Sequence, residues 1–117
     1  MKISRFEDII AWQKAMDLCV NIYALFKDHK DYAFRDQIQR AAVSIANNIA
    51  EGFERKSNNE FQYFLYVAKG SSGEVRSMLH LAVRLGIITA EAGMELSIDA
   101  EEISKILSGF IKTLLTL

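Results

Sequence analysis

No proline occurs anywhere in these 117 residues, and apolar side chains recur every three or four positions along almost the whole chain. Proline is the residue that most reliably ends or kinks a helix, and a three-four spacing puts apolar groups on one helical face. Two-residue alternation of the strand type is not evident. The chain is therefore expected to be all-α, built from long helices.

A first helix is predicted over about Glu7 to Phe26, with Ile9, Trp12, Met16, Cys19, Tyr23 and Phe26 as its inner stripe. Ile10, Leu18, Ile22 and Leu25 form a second stripe on the same segment. Lys27 to Asp31 is polar and aperiodic, and a second helix is expected from about Phe34 to Phe53, with Ile38, Ala41, Ala42, Ile45 and Ile49 inward. Ser57 followed by Glu60 has the spacing of a capping box and marks the start of a third helix at Asn58. That helix should run to about Leu85, with Phe61, Phe64, Leu65, Ala68, Ser72, Val75, Leu79 and Ala82 inward. Two glycines in Gly70-Ser-Ser-Gly73 cost a helix interior roughly 1 kcal/mol each. The apolar phase continues through them, which favours one unbroken helix whose small residues let a neighbour approach closely, over a loop between two shorter helices. Gly86 ends the helix, and Thr89 is placed to cap a fourth, Ala90 to about Leu115, with Leu96, Ile103, Leu107, Phe110, Leu114 and Leu117 inward.

Four helices with short connections imply one antiparallel up-and-down four-helix bundle over residues 1–117, about 40 Å long at 1.5 Å per residue. With one inner stripe assigned per helix, Ile10, Leu18, Ile22, Ile98, Ile106 and Ile111 are left without a place. Leftover apolar surface of that kind usually marks a contact between subunits.

Half of the residues are hydrophobic, enough for a core at this length without disulfides or metal. Fourteen Lys and Arg against 15 Asp and Glu give a formal charge of -1, which argues against a dedicated polyanion binder and favours a protein partner. The charge is slightly uneven, with 12 basic and 10 acidic residues in 1–88 but 2 and 5 in 89–117. One cysteine, Cys19, cannot form an internal disulfide and reads as a small buried thiol. The first residues show no apolar run with a cleavage site, and no stretch of 18 apolar residues occurs, so a soluble cytoplasmic protein is expected.

Chemistry-bearing patterns are sparse. His29 and His80 are the only histidines, and neither has a metal-ligating neighbour at helical spacing; His29 is read as a solvated loop residue and His80 as a surface one. Gly70-Ser-Ser-Gly73 lacks the Lys-Ser/Thr ending of a phosphate loop, and neither serine has a histidine to activate it. No enzymatic activity and no cofactor or metal are expected. Arg55-Lys56 between two helices has the look of a helix-turn-helix, but Phe61, Tyr63, Phe64, Leu65 and Tyr66 crowd the turns where a recognition helix would present polar groups.

Two constellations stand out. Gln37, Arg40, Ser44, Asn48 and Glu51 repeat along one side of the second helix. They form either an ordinary wet face or, with Ser71 and Glu74, a hydrogen-bond network between helices or subunits, since Ser and Asn are not chosen for helix propensity. Lys2, Arg5, Arg55 and Lys56 should meet at one end of an up-and-down bundle and form the best candidate nucleic-acid patch, offset by Glu7, Asp8, Glu54 and Glu60.

The runs Phe6-Glu-Asp-Ile-Ile-Ala-Trp-Gln-Lys-Ala-Met-Asp-Leu18, Gln37-Ile-Gln-Arg-Ala-Ala-Val-Ser-Ile-Ala-Asn-Asn-Ile-Ala-Glu-Gly-Phe53, Glu60-Phe61 and Ala68-Lys-Gly-Ser-Ser-Gly-Glu74 resemble, over nearly the whole chain, the four-helix-bundle proteins of the 23S rRNA intervening-sequence family. That resemblance implies a homopentameric ring of bundles and no enzymatic activity. Some such proteins are encoded within large-subunit rRNA genes, and relatives serve diversity-generating retroelements by binding reverse transcriptase and nucleic acid. Those accessory proteins are strongly basic, and this chain is not. Ala46 also stands where the family motif usually has proline, which leaves open whether the second helix keeps a bend. The function expected is a non-catalytic oligomeric scaffold for a protein or ribonucleoprotein; the alternative is direct RNA or DNA binding through a ring-multiplied basic patch.

Overall fold

The computed structural model describes residues 3–116. Among them, a short 3-10 turn, Phe6–Asp8, precedes four α-helices: α1 (Ile10–Phe26), α2 (Tyr32–Phe53), α3 (Asn58–Arg84) and α4 (Ala90–Leu115). Each helix packs against two others in the cyclic order α1, α2, α3, α4, with no packing across either diagonal. Gln37 bonds to Glu74 and Ser44 to Ser71 between α2 and α3, while Gln62 reaches Ile111 and Arg76 reaches Glu101 between α3 and α4. Rising numbers on one helix meet falling numbers on the next, so the packed neighbours are antiparallel. The bundle measures 46 × 20 × 19 Å, in keeping with the expected helix length.

Local chemistry explains the boundaries. The Ser57 hydroxyl accepts from the Glu60 backbone N–H at 3.2 Å, and the Thr89 hydroxyl accepts from that of Ala92 at 3.1 Å. Helix α2 starts two residues earlier than the periodicity suggests, because the Asp31 carboxylate accepts from the Phe34 N–H at 3.1 Å and draws Tyr32 into the first turn. At the far end of α3, Gly86 adopts a positive φ of 73°, and the Ile87 and Gly86 N–H groups donate to the carbonyls of Ala82 and Val83. These are the paired hydrogen bonds of a Schellman motif, which closes a helix on a left-handed conformation that glycine adopts without strain. Helix α3 passes through Gly70 to Gly73 without a break, and α2 passes equally through Ala46.

The first helix departs from expectation. It does not begin at Glu7: Ile9 is extended, and that turn of backbone carries its side chain into the core, leaving Phe6–Asp8 as a separate turn. Nor is its inner face the expected one. Ala11, Ala15, Leu18, Ile22 and Phe26 are buried, whereas Met16 and Tyr23 face outward and Trp12 and Cys19 lie half-buried at the margin. Two small alanines let α1 settle close to its neighbours along the stripe first counted as surplus. Leu18, Ile22 and Ile111 consequently belong to the core, Ile106 packs against it, and only Ile10 and Ile98 of the surplus set are exposed. On the other helices the expected inner residues are in place, with Phe61, Phe64 and Phe110 half-buried and Leu117 outside the described residues.

Glycine packing also differs. Nothing lies within 4 Å of the space a Cβ would fill at Gly70 or Gly73, so neither serves a contact inside the bundle. Gly52 and Gly93 do: a Cβ on Gly52 would stand 2.7 Å from Phe64 Cβ, and one on Gly93 would collide with Val83. Between α3 and α4 the buried Ser72 hydroxyl donates to the Ala100 carbonyl at 2.7 Å, which removes the cost of burying it.

Candidate functional site

The polar stripe of α2 does not form one network. The Asn48 amide donates to the Ser44 hydroxyl and carbonyl at 2.9 and 2.8 Å, and the Ser71 hydroxyl donates to that of Ser44 at 2.9 Å. Gln37 donates separately to the Glu74 carboxylate at 3.3 Å. Glu51 stands apart, exposed and paired at 3.6 Å with Arg55 one turn on. Arg40 has no hydrogen bond or ion pair among the described residues, and its guanidinium lies free in a groove of about 590 Å³ between α2 and α3, lined also by Asp36, Gln37, Ser44, Ser71 and Glu74. The stripe is thus two small bonded clusters flanking an unpaired cation.

At the end of the bundle where α2 gives way to α3, Arg55 and Lys56, adjacent in sequence, line one depression with Ile3, Phe110 and Leu114, and Arg5 is not among its lining residues. Lys2 lies outside the described residues. Arg5 and Arg55 are paired with carboxylates, whereas Lys56 has no ion pair among the described residues. Arg55 donates to Glu60 at 3.0 Å, approaches Glu51 and lies over the Phe64 ring, while Arg5 approaches Glu7 and Asp8 at 3.5 and 3.8 Å. A guanidinium held by carboxylates has little left to offer a phosphate.

On the opposite side, between α1 and α4, lies a groove that sequence reasoning missed. Lys14 pairs with Glu102 at 2.6 Å, and Asp17 and Asp99 line the same groove with no ion-pair partner among the described residues. The hydrogen bond and charge of Glu102, with Asp99 and Asp17 nearby, raise the Lys14 amine above its ordinary value. Antiparallel register brings these carboxylates together from positions 82 residues apart, so no local spacing signals them.

Other readings are modified. His29 is half-buried, its ring edge-on to Phe34 and its Nε2 without a partner, so it is not the solvated loop residue expected. Cys19 is half-buried, which pushes its thiol above the usual range. Among the described residues no three His, Cys, Asp or Glu side chains gather at a metal-binding spacing.

Residues 7–109 match the 23S rRNA-intervening sequence protein family. The chain belongs to that family. A crystal structure of a protein of unknown function from the S23 ribosomal protein family of Bacteroides thetaiotaomicron is similar to this chain at 29% identity, with a TM-score of 0.83, covering 88% of this chain and 99% of its own. No curated protein matches. Membership accounts for the four-helix architecture and for the sequence runs from Phe6 to Glu74; the relative's printed description gives a fold without a function.

Proposed function

We propose that this member of the 23S rRNA-intervening sequence family is a non-catalytic homo-oligomeric scaffold of the cytoplasm, assembling as a ring of five and holding a protein or ribonucleoprotein partner. One observation carries the reading. The core closes within a single protomer, yet large apolar side chains remain outside it on every helix, among them Ile10, Met16, Val20 and Tyr23 on α1, Tyr32 on α2, Tyr63, Tyr66 and Leu81 on α3, and Met94 and Ile98 on α4. Apolar side chains left exposed on a 13.3 kDa chain support association, since contiguous patches of them mark interaction surfaces. Ring closure at five is supported by the family resemblance alone. Neutralisation of Arg5 and Arg55 favours a protein surface over bare nucleic acid as the partner.

Light scattering at micromolar concentration tests the assembly. A mass near five protomers supports the ring, another closed multiple corrects its number, and a single protomer across that range removes the scaffold reading.

A further inference from the structure

The cyclic helix order puts the α2–α3 face and the α1–α4 face on opposite sides of the bundle. Neither face is of one sign: Arg40 shares its groove with Asp36 and Glu74, and Asp17 and Asp99 share theirs with the Lys14–Glu102 pair. The groups without an ion-pair partner among the described residues that line up in height are nevertheless Arg40 on one face and Asp17 and Asp99 on the other. Measured from the end where α1 joins α2, the free Arg40 lies eight residues into α2, about 12 Å along the axis. Asp17 and Asp99, the unpaired carboxylates of the other face, each lie nine residues from that end, about 13 Å along. Toward the opposite end the relation is apolar. Tyr63, 63% exposed, stands five residues into α3. On the α1–α4 face, at that same end, Ile3, Ile10, Ile106 and Phe110 line an open apolar groove of about 350 Å³. Phe110 lies five residues from the end of α4, so ring and groove are level at about 8 Å.

Between these anchors, Gly70 lies in the same outward sector of α3 as Tyr63, with open space before it. Nothing within the chain requires a glycine there, and its lack of a side chain lets another backbone come close.

We infer that the α2–α3 face of one protomer seats on the α1–α4 face of a second copy, with Arg40 between Asp17 and Asp99 and Tyr63 in the groove beside Ile10 and Phe110. The inference rests on the self-assembly reading and adds its surfaces. Arginine and tyrosine are among the side chains that most often anchor interfaces, and the pairing of Arg40 with Asp17 and Asp99 fixes the register of the contact. Because opposite faces meet, the contact is head-to-tail: it closes into a ring or runs on as a filament, and no two-fold axis relates neighbours. Matched heights require the bundles to stand parallel, side by side.

Charge reversal tests it. The variants Arg40→Glu and Asp17→Lys/Asp99→Lys should each scatter as a single protomer while keeping helical circular dichroism, and the triple variant carrying all three changes should regain the parental mass. Tyr63→Lys, an exposed change, should also dissociate the assembly and checks the apolar half independently. If the parent assembles and the charge variants keep its mass, or if the triple variant stays dissociated, the assigned surfaces are wrong although self-assembly stands. A parent that is a single protomer removes both readings together.

Discussion

At the scale of single residues, glycines of similar appearance in the sequence have opposite roles. Gly52 faces Phe64 and Phe61 across the α2–α3 contact, so Gly52→Ala must push rigid neighbours apart and should destabilise the protein by about 1–3 kcal/mol. Gly70 meets nothing, and Gly70→Ala should stabilise the isolated protomer by up to about 1 kcal/mol through helix propensity. Chemical denaturation of both variants in the Arg40→Glu background checks the pair; equal effects would contradict the packing described. No sequence signal separated the two positions. The small residues of Gly70-Ser-Ser-Gly73 suggested close packing, and in the structure its serines sit at the contacts with α2 and α4 while the glycines that need the space are Gly52 and Gly93, because closeness depends on which side of the helix faces a neighbour. Arg40 was similarly legible as part of a stripe but not as its unpaired member.

At the scale of elements, the ends were legible and one face was not. Ser57, Thr89 and Gly86 act on groups within a few residues, so their effect is written in local sequence, and α3 and α4 end within a residue of expectation. Gly86→Ala tests this most directly. It forces a side chain onto a left-handed residue and should cost about 1–2 kcal/mol, read as a lower melting temperature with the helical signal retained below the transition. A melt unchanged from the parent would mean that the turn after α3 rearranges freely. The inner face of α1 was illegible for a different reason. Two apolar stripes of comparable strength run along it, and the choice depended on the fit of Ala11 and Ala15 against neighbouring helices.

At the scale of the whole molecule, net charge and its pairing set what the surface can hold. With a formal charge of -1 and both arginines of its best basic cluster tied to carboxylates, the protein should retain little RNA or duplex DNA at about 150 mM salt, where exposed charges are screened beyond about 8 Å. Filter binding or gel shift over a salt series checks this. Nanomolar retention, abolished by Arg55→Ala with Lys56→Ala, would favour a nucleic-acid function over the scaffold.

The doubled apolar surface of α1 has a kinetic consequence as well. In a collapsing chain the stripe of Met16 and Tyr23 would compete with that of Leu18 and Ile22 for the same interior, and a rolled helix would be a compact alternative to the native packing. Such local conflict roughens the route to the native state. Met16→Lys with Tyr23→Lys removes the competitor without touching a buried residue, and should simplify refolding toward a single exponential in stopped-flow fluorescence from Trp12. Persistence of a slow phase that the parent also shows would place the conflict elsewhere.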